Sequence, residues 1–364
     1  MEKTYKVTAE QLTNYCADIL KGYGVKAENA QIVAKSLVDA DLRNVSSHGV
    51  IRLSVYLRRI QSGGTKGNPN ITIPKETAVS ALIDGDNGLG SVVSEKATDL
   101  AIEKAEKMGI SVVAVRNSAH YGAASYWAMK MAKHGMIGMS CSNVEPYMAV
   151  TGGNGRNIGN NPISYVFPTK SYGYISYDIA CSKMAGGKAL AYAVLGKQLP
   201  KDSFLDKDGK PTTDPNAAYS PLPFAGHKGY GLAVVVEMLT SVLAGGAFGK
   251  EIGSQYDLID KPNRISHFFT AFKIDLFQEL EEYYKKADEF VEYLRNLPKA
   301  ENVKHIYYPG ELENISKEDK LKNGLLFKAS LIDELVDFAR KAGLSEDEAV
   351  SLKSNPVDKE VEYH

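Results

Sequence analysis

Cysteine is scarce in this chain of 364 residues, and so is any imbalance of charge. The three cysteines, Cys16, Cys141 and Cys181, are far apart and share no CxxC spacing. They offer neither a disulfide framework nor a cysteine zinc site, and they fit ordinary thiols in a reducing compartment. Lys and Arg number 43 against 44 Asp and Glu, a net charge of -1. That balance supplies no electrostatic reason to expect a nucleic-acid or membrane-surface protein. Long apolar runs are missing as well. The most apolar stretch, residues 231–247, is broken by Glu237 and is too short to span a bilayer. Met1-Glu2-Lys3-Thr4-Tyr5 leads into no apolar signal segment. The seven histidines include no HExxH pair, no Walker-type Gly-Lys-Ser/Thr loop occurs, and there is no GxSxG. Zincin, P-loop and nucleophile-elbow chemistry therefore have no support. What is left is a soluble, cytoplasmic, enzymatic protein.

The composition is 44% hydrophobic, enough at this length to bury a core without staples, in two domains or in one large one with insertions. Thr8 with Gln11 forms a capping box, and Leu12, Tyr15, Cys16, Ile19 and Leu20 follow a helical period. Further helices are expected over residues 27–42 and 47–60, then a linker over 65–74. The centre changes character. Strands are expected at 78–83, 110–115, 136–140, 163–167, 174–178 and 265–274. Helices are expected at 92–108, 123–133 and 228–243. The stretch from 110 to 140 reads as β-α-β. Helix returns at 277–294 and 331–342, the latter with Ser330 as N-cap, with a short strand at 305–308 and a loose tail after Ser345. The pattern is α/β, with helical ends around a mixed centre.

Four segments carry candidate chemistry. The first is Ser47-His48-Gly49 with Arg52 and Tyr56. Residues four apart on a helix lie about 40° apart around its axis, so His48, Arg52 and Tyr56 share a face. An Arg fork suits a small carboxylate, and His and Tyr can bond its hydroxyl or carbonyl. A solvated helix face would look the same. The second segment runs from Asn117 to Gly122 and carries His120 just past a buried strand, where open α/β sheets bind ligands. A His there suits proton transfer, although a capping loop with an exposed His also fits. The third, Gly152-Gly153-Asn154-Gly155 to Gly159-Asn160-Asn161-Pro162, has GxGxxxG spacing and opens no amphipathic helix, so it is no dinucleotide fingerprint. It reads as a long turn or a pocket-shaping loop. The fourth, His227-Lys228-Gly229-Tyr230-Gly231, opens an apolar helix whose amides favour an anion, or is a flexible loop.

Taken in order, these segments resemble the malate/L-lactate dehydrogenases that are unrelated to Rossmann-type enzymes. That family includes archaeal-type malate dehydrogenases, ureidoglycolate dehydrogenase and diketogulonate reductase. The resemblance covers residues 8–343. Its carriers are Ala40-Asp41-Leu42-Arg43, Ser47-His48-Gly49-Val50, the His120 segment, Gly159-Asn160-Asn161-Pro162, Asp178-Ile179-Ala180, Asp214-Pro215, the His227-Lys228 segment and Pro309-Gly310-Glu311. Their joint order is specific. The resemblance implies hydride transfer between NAD or NADP and C2 of a 2-hydroxy or 2-keto acid. It implies that His120 takes the hydroxyl proton, with His48, Ser47, Arg52 and Tyr56 holding and polarising the substrate. It places the cofactor against Val144, Asp178, Ile179, Ala180, His227, Lys228, Pro309, Gly310 and Glu311. It implies a homodimer, and the histidine and cysteine spacings support no metal site. Its fold would put residues 1–77 and 276–364 in a helical domain and 78–275 in a mixed-sheet cofactor domain.

Three departures from the family pattern stand out. The usual Gly-Thr-Asn-Pro is Gly159-Asn160-Asn161-Pro162, the usual Thr or Ser after Ala180 is Cys181, and the segment between Asp214-Pro215 and Gly226 is shorter. Ala81 to Asp86, Gly88-Leu89-Gly90 and Arg116-Asn117-Ser118 resemble malate enzymes. Tyr307-Tyr308-Pro309-Gly310 and Ala123 to Tyr126 resemble ureidoglycolate dehydrogenase. Malate is favoured, and NAD against NADP stays open. A non-catalytic binding protein on the same scaffold would have lost its acid–base pair, whereas His48 and His120 are both present.

Overall fold

The computed structural model describes residues 3–358. The chain opens with β1 (Thr4–Val7), α1 (Ala9–Gly22), α2 (Ala27–Leu42) and α3 (Leu53–Gln61). The central part runs β2 (Thr72–Glu76), β3 (Ser80–Asp84), α4 (Gly90–Met108), β4 (Ile110–Ser118), α5 (Ala124–Ala132), β5 (Met136–Ser142), β6 (Ile163–Pro168) and β7 (Tyr174–Ile179). Then come α6 (Gly186–Val194), the short strands β8 (Phe204–Leu205), β9 (Pro211–Thr212) and β10 (Ser220–Pro221), α7 (His227–Glu237), β11 (Ile265–Lys273) and α8 (Leu280–Arg295). The chain closes with α9 (Glu311–Asn323), β12 (Leu325–Lys328), α10 (Ala329–Lys341), α11 (Glu346–Ala349) and β13 (Pro356–Val357).

Seven strands form one mixed sheet in the order β2-β3-β4-β11-β5-β6-β7. The expected β-α-β unit exists, but β4 and β5 do not touch. β11 lies antiparallel between them, pairing Phe268 with Ala114 on one side and Cys141 on the other. Alternate residues of β11 face opposite layers. Phe269 packs with Val93, Ala97 and Trp127 of α4 and α5, and Phe268 packs towards Val236 of α7. Both faces are therefore covered, which explains the near-continuous apolar strands.

A second core is built by the two chain ends. Leu12, Ile19 and Leu20 of α1 pack with Leu37 of α2, Leu53 and Leu57 of α3, and Leu335 and Val336 of α10. β1 sits between β12 and β13 and zips the termini together. Each fully buried Leu or Ile here contributes roughly 1.5–3 kcal/mol. Among the described residues no helix is long and apolar enough to cross a membrane.

Several local expectations are corrected. The linker over 65–74 ends in β2, an edge strand where Pro74 needs no ladder partner. No strand forms at 305–308, because the Tyr308 N–H goes to the Glu311 carboxylate at 3.0 Å instead of to a neighbouring strand. α10 starts at Ala329, so its N-cap is Lys328 and not Ser330. The tail after Ser345 is structured in its described part, residues 346–358, because Ser345 and Glu348 make a reciprocal capping box and β13 pairs with β1; the rest of it lies outside the described residues.

The expected helix over 47–60 is broken. Ser46–His48 and Val50–Arg52 are single 3-10 turns, and Gly49 between them is extended, with φ -82° and ψ -157°. The cause is Asp41. Its buried carboxylate accepts the Val50 N–H at 2.7 Å. A Cβ on Gly49 would meet Asp41 Oδ1 at 2.0 Å. Burial raises the Asp41 carboxyl to about 7, against the pull of the Val50 N–H and Lys320. Gly49 is thus glycine because a carboxylate occupies the place of its side chain. Gly49→Ala should lower stability by about 1–3 kcal/mol, the usual scale of overpacking. A urea titration followed by circular dichroism reads this, and an unshifted midpoint would mean that the segment moves aside freely.

Candidate active site

The carboxyl ends of β4 and β5 and the amino end of β11 meet at one end of the sheet, in its middle. His120 lies two residues past β4. Asn117, at φ 53°, turns the chain there. Gly90, at the start of α4, lets that turn approach, since a Cβ on it would meet the His120 carbonyl at 2.4 Å. Beyond His120 the loop is anchored by Trp127, fully buried, whose indole N–H donates to the Tyr121 carbonyl at 3.0 Å. His120 is therefore held from both sides.

The terminal core brings the other groups to it. The Tyr56 hydroxyl, on α3, lies 2.7 Å from His120 Nδ1. The His48 and His120 rings stack with centroids 5.4 Å apart. Ser47 Oγ lies 2.9 Å from His48 Nδ1. Arg52 donates from Nε to the Ser47 carbonyl at 2.6 Å and from Nη1 to the Tyr256 hydroxyl. The five sequence candidates thus converge, although the broken helix means that they do not form one stripe. Burial and then Arg52 hold His48 down to about 4. Burial, Arg52, His48 and His267 hold His120 well below its ordinary value, so both imidazoles are neutral near pH 7. Burial raises the Tyr56 phenol, which stays protonated. A neutral imidazole beside a phenol and a guanidinium can pass a proton to or from an oxygen on an anionic ligand.

Residues the sequence did not single out hold this arrangement. His267 on β11 is fully buried, stacked on Tyr121 at 4.3 Å between centroids. Its Nδ1 lies 2.9 Å from Ser142 Oγ at the end of β5, and its Nε2 lies 2.9 Å from Ser118 Oγ at the end of β4. One side chain thus couples the His120 loop to the Val144 loop. Burial lowers His267 to about 3, so the crosspiece is neutral. Arg59 on α3 is 2% exposed and donates to the carbonyls of Leu258 at 2.9 Å and Lys261 at 2.5 Å, and more weakly to those of Ser254 and Gln255. It fastens the segment that carries Tyr256. A polar residue inside the apolar run of β11 was a readable signal for His267; nothing local marked Tyr256.

The remaining candidates line the other side of β5 and β6. Val144 N–H donates to Asn161 Oδ1 at 3.2 Å, and Asn161 Nδ2 donates to Glu237 of α7 at 2.7 Å. Cys181, in place of Thr or Ser, still donates its thiol to the Asn161 carbonyl, at 3.2 Å. Asp178, at the edge of the sheet, accepts the Ser125 N–H at 2.9 Å and so caps α5, which lacks a cap of its own. Ile179 and Ala180 continue from it toward Cys181, whose carbonyl accepts the Phe224 N–H just before α7. His227 and Lys228 are exposed at the first turn of α7. The Pro309 carbonyl accepts the Ser176 N–H at 2.9 Å, and Gly310 stands at φ 89° with no room for a Cβ against Ser176. The Glu311 carboxylate is committed to Arg295 at 2.5 Å, His305 at 3.2 Å and the Tyr308 N–H.

Known proteins are similar to this chain over most of its length. A family model described as malate/L-lactate dehydrogenase matches residues 7–336. The chain is 38% identical over 353 residues to the malate dehydrogenase of Pyrococcus abyssi, covering 94% of this chain and 96% of that protein. It is 39% identical over 333 residues to the L-sulfolactate dehydrogenase of Methanocaldococcus jannaschii, covering 90% of this chain and 94% of that protein. A solved structure of sulfolactate dehydrogenase from Methanocaldococcus jannaschii superposes with a TM-score of 0.88 at 36% identity, over 94% of this chain and 99% of that one. The match runs through both cores and the edge where they meet: the chain belongs to the malate/L-lactate dehydrogenase family and is a 2-hydroxy acid dehydrogenase.

Proposed function

We propose that the protein moves a hydride between NAD or NADP and C2 of a small 2-hydroxy or 2-keto acid, with malate and oxaloacetate as the pair. The observation that carries this is the 2.7 Å contact between Tyr56 and His120 beside Arg52. With its proton on Nδ1, directed to the Tyr56 oxygen, neutral His120 keeps the Nε2 lone pair for the substrate hydroxyl. In oxidation the neutral ring takes the hydroxyl proton; in reduction it returns one to the carbonyl. Arg52 pairs with the carboxylate, and Ser47, His48 and Tyr56 orient the carbon that reacts. The choice of malate rests on the relatives, whose names give malate and sulfolactate, both 2-hydroxy acids with a second acid group. Ureidoglycolate is the alternative within the family.

The residues along β7 fit a nicotinamide cofactor. The Ser164 and Ser182 hydroxyls are buried with no partner among the described residues. Ser164 stands opposite Asp178 in the sheet, and Ser182 follows Cys181. They leave polar groups to be satisfied in the strip formed by Val144, Asp178, Ile179 and Ala180. His227 and Lys228, at a helix N-terminus, suit its anionic part. Pro309 and Gly310 would contribute backbone, since the Glu311 carboxylate is engaged. When bound, the nicotinamide supplies or accepts the hydride. Residues 78–275 would form the cofactor-binding unit, with 1–77 and 276–364 the helical one. Exposed Leu190, Val194 and Leu195 around α6 and Val235, Met238 and Leu243 on and after α7 favour a homodimer.

His120→Ala should lower kcat roughly 100-fold or more, the scale of a positioned proton-transfer group, and leave cofactor binding intact. Near-full turnover would reject the assignment. The pH profile is a separate check. A lowered pKa keeps His120 in its proton-accepting form as pH falls, so kcat/KM for hydroxy-acid oxidation should stay level through about 6.5 and decline only at more acidic pH. A decline centred at or above that value would mean an unperturbed base. Lys228→Ala should weaken NADH or NADPH binding, more so at low salt, where exposed charges are least screened. Fluorescence titration without substrate reads this, and unchanged affinity for both would move Lys228 to the substrate side.

A further inference from the structure

Arg52 does not face the site alone. Its Nε is spent on the Ser47 carbonyl at 2.6 Å, which closes the side-on fork of the guanidinium. The donors that remain are on the two terminal nitrogens, and Nη1 already reaches the Tyr256 hydroxyl. A guanidinium has five N–H donors and no acceptor. In that contact the phenol oxygen must accept, so the phenol proton points elsewhere. Among the described residues no acceptor lies against it. The neighbouring Tyr56 hydroxyl is engaged with His120, and Arg52 repels any further cation. The ligand class that Arg52 attracts is an anion, and the Tyr256 O–H beside it is free to donate to one.

The backbone that presents Tyr256 is fixed. Arg59 holds the carbonyls of Ser254 and Gln255 before it and of Leu258 and Lys261 after it. Glu145 Oε2 accepts the Gln255 N–H at 2.6 Å, and Ser254 Oγ accepts the N–H groups of Tyr256 at 3.3 Å and Asp257 at 3.2 Å. On this clamped segment the Tyr256 side chain is left in the open, with the residue 52% exposed. Nothing in the packing demands a large ring there. Its hydroxyl still falls within the polar group of the site: burial raises the Tyr56 and Tyr147 phenols, and the Tyr256 phenol adds to both.

We propose that Tyr256 is a substrate-binding residue that works with Arg52, its phenol O–H donating to the carboxylate that the terminal nitrogens of Arg52 hold end-on. This rests on the reading of Arg52 as the carboxylate ligand. The pair would bind a planar carboxylate at three points. Arg59 and Glu145 serve as positioning residues for the segment.

The test is steady-state reduction of oxaloacetate by Tyr256→Phe, Arg52→Lys and the double variant, each checked for an unchanged melting temperature. Loss of a hydrogen bond to a charged group should raise KM about 10-fold in Tyr256→Phe. kcat should stay within a factor of about two and NADH affinity should not change, because the phenol touches neither the proton path nor the cofactor. In the double variant the increases in KM should fall short of multiplying, since both side chains act on one carboxylate. A wild-type KM in Tyr256→Phe, with Arg52→Lys raised, overturns the role of Tyr256 and leaves Arg52 standing. A wild-type KM in Arg52→Lys overturns both. Fully multiplicative effects overturn the shared carboxylate.

Discussion

The hydrogen bond between Tyr56 and His120 lies where the two cores of the structure meet. Tyr56 belongs to α3, whose Leu53 and Leu57 are sunk in the core made by the chain ends. His120 belongs to the loop after β4, whose Val113 and Val115 lie in the sheet core. Neither core alone has a site. An imidazole held by one core and hydrogen-bonded by the other is a geometry that their contact creates.

The contact is set by buried polar groups whose partners are nearly all present. Asp41 shapes the turn that carries His48, Arg59 holds the segment that carries Tyr256, His267 ties β4 to β5, and Glu237 holds Asn143 and Asn161. Apart from the Asp41 turn, each spans distant parts of the chain. A buried donor or acceptor left unpaired costs about 1–3 kcal/mol, more if charged, so a displaced loop pays for every bond it abandons. Apolar packing would tolerate small slides between the cores; these directional bonds do not. The glycines at 49 and 90 serve the same end by letting a carboxylate and a peptide come closer than any side chain would allow.

Neutral histidines are a second consequence of this enclosure. His48, His120 and His267 are all pushed down by burial, and Arg52 adds to the effect at the first two. The Arg52 guanidinium thus adds to burial in keeping both imidazoles neutral.

The helices with strong apolar periods, the β-branched strands and the capping box at Thr8 were legible because each rests on neighbours within a few residues. So were the residue types of the site, since His, Arg and Tyr near a strand end or at helical spacing already point to an anion and a proton. Local pattern could not show that β11 inserts between β4 and β5, that Pro74 sits harmlessly on an edge, or that the helix at Ser47 breaks. Those outcomes depend on partners such as the Asp41 carboxylate beside Gly49, or a strand reached across residues 143–264. By itself the sequence determined which groups are available and in what order they occur. Only the tertiary structure decided that Tyr256 would stand against Arg52, because the bonds that hold it there come from Arg59, nearly two hundred positions earlier in the chain.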